Sequence, residues 1–325
     1  MVDARLLVGD DSVLPFVINS AGVRGRVMRL GPVLRAILAR HDYPQPVARL
    51  LAEFLLLAGG LASMMKYEGV FTLQTRGDGP LRFMVADVTD EGALRGYVEL
   101  DRPALDALLS RDPAPSLPRL CGAGYLAFTV DRNEEGQRYQ GIVELTGASI
   151  ADCVLHYFQQ SEQLPSAIHV ATSAPGAPWQ AAGMILQRLP ASEYGSDHPD
   201  LLEAREEGWR RAMILMSTLT DAELLDRDLS SAALVHRLFN EELYALHEPQ
   251  HLEDRCRCSE ERITTVLASL GEEDLAEMTL PDGRVEAVCQ FCSRAYGFTP
   301  DVLRRLRESL RPEAGPAQGA GSQGG

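Results

Sequence analysis

Lysine is nearly missing from this sequence: of its 31 basic residues, all but Lys66 are arginine. A phosphate-binding P-loop requires Gly-Lys-Ser/Thr, and Lys66 stands between Met65 and Tyr67. That route to nucleotide hydrolysis is closed, and no nucleotide is expected as a cofactor. Positive charge is scarce overall, since 46 acidic residues outweigh 31 basic ones for a net charge of −15. Such a surface repels phosphate backbones and anionic lipids, so neither nucleic acid nor membrane is expected as a partner. No G-x-S-x-G, H-E-x-x-H or G-x-G-x-x-G pattern occurs, and no enzyme is expected.

Long apolar runs are also lacking. The most apolar stretch, 50–65, contains Glu53 and the Gly59–Gly60 pair. It falls short of the ~20 residues that a bilayer requires and reads as a buried core helix. The opening MVDARLLVGDDS has no basic segment ahead of an apolar one, so no secretory signal is visible. The compartment expected on that basis is the cytoplasm, where thiols are mostly reduced.

What is present is an ordinary globular composition, 45% hydrophobic and 24% charged over 325 residues. At ~100–200 residues per domain, that length suits two domains and a connecting segment. Loose alternation over 14–30 predicts two strands about a turn at Ser20–Gly22. Pro32 and Pro46 each open a helical pattern, running to Arg40 and Lys66. Strands are expected at 70–75, 81–88, 94–100, 125–131, 139–144 and 168–172. Ser149 caps a helix to about Gln163, and a further helix is expected over 179–189. Strands grouped without regular βαβ alternation predict an α+β core domain over 1–195. Residues 201–250 read as helical throughout, with 10 acids against 5 arginines and a capping box at Thr220/Glu223. Residues 196–250 are accordingly expected to be a helical linker, 251–311 a small third module, and the Gly-rich 312–325 a disordered tail.

The sharpest signal lies in that module: Cys256-Arg-Cys258 and, thirty residues on, Cys289-Gln-Phe-Cys292. Four thiols in two close pairs suit a tetrahedral Zn²⁺ centre, each pair forming one edge. So few residues build little core, and the metal is expected to supply much of the folding free energy. Zinc keeps the sulfurs as thiolates, the form that peroxide and hypochlorite attack. Oxidation removes the ligands, so the site suits either a redox switch or a purely structural role. His251 suits a ligand only if it displaced a cysteine. Cys121 and Cys153, in apolar surroundings, read as buried fillers. Glu162 and Gln163 in YFQQSEQ have no evident catalytic partner and read as structural. In the linker, Ala212, Met213, Leu215, Met216 and Leu219 form an apolar stripe that packs on the core when the protein is reduced. A marginal helix of that kind melts when its cover is lost, which leaves the stripe as a candidate surface for binding apolar chains non-specifically.

The sequence resembles the bacterial redox-regulated 33 kDa chaperonin family over nearly its whole length. The resemblance rests on RGRVMRLG at 24–31, KYEGVFTLQTRGDGPL at 66–81, GYLAFTVD at 124–131 and YFQQSEQLPSAI at 157–168. It continues with CRCSEERITTVLASLGEEDL at 256–275 and VCQFCSRAYGF at 288–298. It implies that Cys256, Cys258, Cys289 and Cys292 hold one zinc in a reduced, inactive form. On oxidation it implies disulfides Cys256–Cys258 and Cys289–Cys292, unfolding of the zinc module and linker, and homodimerisation. The implied activity is ATP-independent holding of unfolded clients, later passed to ATP-dependent foldases, as a response to oxidative stress. The alternative reading is a zinc-ribbon module with a structural metal that docks a protein or RNA. Against RNA, 251–311 carries 12 acids to 9 arginines, where a basic surface is needed. A thiol oxidoreductase acting through Cys289 and Cys292 lacks the βαβ context.

Overall fold

A computed structural model describes residues 9–132, 138–190 and 199–303. The expected junction at 195–196 and the tail at 312–325 lie outside the described residues. The chain forms two compact units, one ending at Cys256 and the other beginning at Arg257.

The first unit is α+β. Its elements begin with β1 (Ser12–Ile18), β2 (Val23–Leu30), α1 (Pro32–Leu38) and α2 (Gln45–Ala62). Next come β3 (Gly69–Gly77), β4 (Leu81–Thr89), β5 (Ala93–Leu100), α3 (Arg102–Leu109), α4 (Leu117–Cys121), β6 (Gly124–Arg132) and β7 (Arg138–Glu144). After α5 (Ile150–Tyr157) come β8 (Ser166–Thr172), β9 (Ala181–Arg188), α6 (Pro199–Ser217), α7 (Asp221–Leu225) and α8 (Ser231–Phe239). The unit closes with β10 (Tyr244–Leu246), β11 (Gln250–His251) and β12 (Glu253–Asp254). One sheet has the order β10-β1-β2-β9-β8, with β11 also on β1; the other is β12-β5-β4-β3-β6-β7. All pairings are antiparallel except β12 with β5.

Helix α2 explains why a run apolar enough to pass for a membrane span is none: 78% of it is buried in the fold. It packs on β2, β8 and β9 of one sheet and on β3, β4 and β5 of the other. Both helical faces are therefore apolar, as expected for a helix with no solvent side. Gly60 permits this approach, since a Cβ there would meet Met28 Sδ at 2.0 Å.

Two expectations are corrected. The stretch 179–189 holds strand β9 (Ala181–Arg188), not a helix. The run AAGMILQR is buried on both faces and central in its sheet, so it shows no alternation. A continuous apolar run of this length cannot be told from a buried helix by periodicity. Nor is 201–250 helical throughout: after Phe239 the chain becomes strands that edge β1, with Phe16 opposite Leu246 and Val13 opposite Gln250. Tertiary pairing overrides local helix propensity there.

Helices α6 to α8 cover the outer face of the first sheet. Ala212, Met216 and Leu219 are buried with Leu14, Phe16 and Ile18, while Met213 and Leu215 are half-buried against the same cluster. The Thr220/Glu223 capping box is formed, as is one at Ser149/Asp152.

The second unit contains α9 (Glu260–Ser269), α10 (Glu272–Glu277), β13 (Val285–Val288) and β14 (Ala295–Phe298). Among the described residues its buried apolar core is Leu267, Val285, Phe298 and Leu303. Four side chains of ~1.5–3 kcal/mol each do not offset the conformational entropy of several tens of residues.

Candidate metal centre

Strands β13 and β14 pair in register from Val285↔Phe298 to Val288↔Ala295, which leaves Cys289–Arg294 as the connecting loop. Two backbone bonds close it: Ser293 N–H donates to the Cys289 carbonyl at 2.8 Å, and Cys289 N–H to the Arg294 carbonyl at 2.9 Å. Ser293 takes a left-handed conformation, φ 57°, and this reversal holds Cys289 and Cys292 on one tight turn. The other pair precedes α9, whose N-cap Ser259 accepts from Arg262 N–H.

The Sγ atoms of Cys256, Cys258, Cys289 and Cys292 all lie within 4.8 Å of one another, and each residue is half-buried. Cys258 and Cys292 are 3.3 Å apart. A tetrahedron with metal–sulfur bonds of ~2.3 Å has edges of about 3.8 Å. The donor set and its spacing therefore fit one thiophilic ion, and zinc meets both requirements. His251 is exposed on β11 and is not part of the cluster.

Two side chains that sequence reasoning did not single out donate to these sulfurs. Arg95 Nη1 lies 3.7 Å from Cys256 Sγ, and Tyr296 Oη donates to Cys258 Sγ at 3.1 Å. Both contacts help to hold the sulfurs in place. Arg95 is itself fixed by Asp87, with Nε and Nη2 at 2.8 and 2.6 Å from one carboxylate oxygen. Arg95 precedes its sulfur by 161 positions, so nothing local could have flagged it. Tyr296 lay within a recognised block, without an assigned role.

The approach to Cys256 is pinned within the first unit. Glu253 and Asp254 pair with Ala93 and Leu94, Arg40 grips the Asp254 carboxylate with both terminal nitrogens, and Arg255 meets Glu91 at 2.5 Å.

The remaining cysteines are of another kind. Burial pushes the Cys121 thiol up to about 12, with Cys153 nearby adding to the effect. Burial also raises Cys153 to about 11, aided by Asp152 and Glu53. At pH 8 both are neutral thiols, with a thiolate fraction of about one in a thousand or less. Alkylation of the native, metal-stripped protein at pH 8 is therefore expected to label four cysteines and spare Cys121 and Cys153. Peptide mass mapping checks this, and all six should label in denaturant.

The comparisons with known proteins agree with one another. A family model described as Hsp33 protein matches residues 11–299. The 33 kDa chaperonin of Caulobacter vibrioides is 38% identical over 295 residues, covering 90% of this chain and 95% of that protein. That of Ectopseudomonas mendocina is 37% identical over 305 residues, covering 93% and 97%. Among solved structures, the 33 kDa chaperonin of Thermotoga maritima matches with a TM-score of 0.73 at 22% identity, covering 92% of this chain and 98% of that one. At that identity the structural likeness establishes the fold.

Proposed function

From the premise that this chain belongs to the Hsp33 family, a family of chaperones, we propose that it is an ATP-independent holdase switched by oxidation. The observation that carries the switch is the four-sulfur cluster, with all Sγ atoms within 4.8 Å. In the reduced, inactive form, Cys256, Cys258, Cys289 and Cys292 hold one zinc ion. When bound, the zinc crosslinks a module whose own apolar core is too small to fold it.

Oxidation consumes the ligands. Each thiolate pair gives two electrons to one peroxide, which takes two protons from solvent, leaving a disulfide and two waters. The proposed bonds are Cys256–Cys258 and Cys289–Cys292. Cys258 and Cys292, 3.3 Å apart in the folded cluster, belong to different motifs, so a bond between them is the competing product. Loss of the cluster unfolds the 251–311 module and frees the segment from Cys256 back into the 196–250 linker. The stripe of Met213, Leu215, Met216 and Leu219 then leaves the sheet it covers and binds unfolded clients. The oxidised protein dimerises, works in the cytoplasm under oxidative stress, and passes clients to ATP-dependent foldases. No residue is assigned a catalytic role.

The test is light scattering from a thermally unfolding client. Metal-loaded, reduced protein should leave aggregation unchanged, and peroxide-treated protein should suppress it at near-stoichiometric ratio without ATP. Peptide mapping should recover the two intramotif disulfides. A dominant Cys258–Cys292 bond would refute the pairing, and equal activity of both forms would refute the switch.

A further inference from the structure

The motif YFQQSEQ builds a second site, remote in sequence from the four clustered cysteines. Helix α5 ends at Tyr157, but the chain continues into a π-turn, Phe158–Glu162, closed by Gln163 in the left-handed region at φ 53°. Wider turns bring residues five apart into register, and such bulges recur at functional sites. Here Tyr157 Oη donates to Glu162 Oε1 at 2.8 Å. Tyr139 Oη lies 2.9 Å from the same oxygen and 2.7 Å from Tyr157 Oη.

This cluster lines a cleft of about 380 Å³ whose walls include Leu61, Phe128, Val130 and Phe158. Arg24, Lys66 and Gln187 also line it. Arg24 and Gln187 face each other across β2 and β9, and Arg24 Nε donates to Gln187 Oε1 at 2.9 Å. That bond fixes which way the Gln187 amide points. The side chain is fully buried, and its Nε2 has no hydrogen-bond partner among the described residues. An orphaned buried donor costs about 1–3 kcal/mol and is retained where something supplies an acceptor. Lys66, the only lysine in a chain of net charge −15, has no carboxylate partner among the described residues. Glu162, the one acid among the described lining residues, already receives two phenol donors. What the cleft still offers a ligand is apolar wall, an amide N–H and two cations.

We propose that this cleft is a binding site for an apolar chain ending in a carboxylate. The apolar body lies along Phe128 and Phe158, and the carboxylate accepts from Gln187 Nε2 between Arg24 and Lys66. Two sources share that chemistry: a free medium-chain fatty acid, and the C-terminus of a peptide ending in apolar residues. The site is independent of the metal centre.

Calorimetric titration of the metal-loaded full chain distinguishes them. Decanoate is compared with decanol, and a tetrapeptide ending in Leu-Leu with its C-terminal amide. Saturable one-to-one binding of either acid, with its neutral counterpart at least about tenfold weaker, supports the proposal and identifies the source. Lys66→Met, at an exposed position, should weaken the acid about tenfold and leave its neutral counterpart, the thermal midpoint and the zinc content unchanged. Arg24→Met should do the same to the acid. No saturable binding of either acid at millimolar concentration overturns the proposal, as does equal binding of acid and neutral partner. Neither result bears on the redox switch.

Discussion

Cys292→Ser is expected to cost the protein its tight metal site and its redox control together. A serine hydroxyl is a poor zinc ligand, and the three remaining thiolates cannot complete the tetrahedron formed by sulfurs within 4.8 Å of one another. Structural zinc contributes apparent binding free energies of ~10–16 kcal/mol in small modules. Loss of most of that is comparable to everything the buried core of Leu267, Val285, Phe298 and Leu303 supplies, about 6–12 kcal/mol. Affinity should fall by several orders of magnitude, and amides of 257–303 should lose hydrogen-exchange protection without any oxidant. Under the proposed switch, this reduced variant suppresses client aggregation constitutively. A metal-free, unprotected and inactive variant would separate metal binding from chaperone activity.

Met216→Asp is the second large effect, and it approaches the switch from the opposite end. Met216 is buried with Phe16 and Leu238 in the apolar cluster between the first sheet and helices α6 to α8. An unpaired carboxylate there carries a penalty of several kcal/mol, and helix α6 relieves it by leaving the sheet. The four cysteines are untouched, so one zinc per chain should remain bound. Aggregation suppression should nonetheless appear in reducing buffer. Met216→Ala, with a loss of about 2–4 kcal/mol, should show a weaker version of the same behaviour. A variant that keeps its zinc, exposes α6 to exchange and still fails to hold clients would remove the linker stripe as the client surface.

The four-cysteine cluster was legible because its signal is local: two close pairs of one residue type are visible without any fold. The helices at 32–38 and 45–62 were legible for the same reason, being set by proline at the start and apolar spacing after it. Strand β9 was not, because a strand buried on both faces loses the period of two that marks a strand. Strands β10 and β11 were missed because their identity comes from the β1 edge they pair with, not from their own propensity. Arg95 was beyond reach, since its role follows from the pairing of β5 with Glu253 and Asp254 ahead of Cys256. In YFQQSEQ the acid was visible. Its two tyrosine donors and the buried Gln187 amide were not, because the π-turn and the β2–β9 register bring them together.

The most direct measurement is a single peroxide titration of the reduced, zinc-loaded protein. Released zinc, remaining thiols and aggregation of a thermally unfolding client are followed in the same samples. The expected course is loss of four thiols and one zinc per chain, with Cys121 and Cys153 intact, and holdase activity rising in proportion to zinc released. Complete release of zinc with no gain in activity would contradict the switch. So would full activity while four thiols and the zinc are still in place.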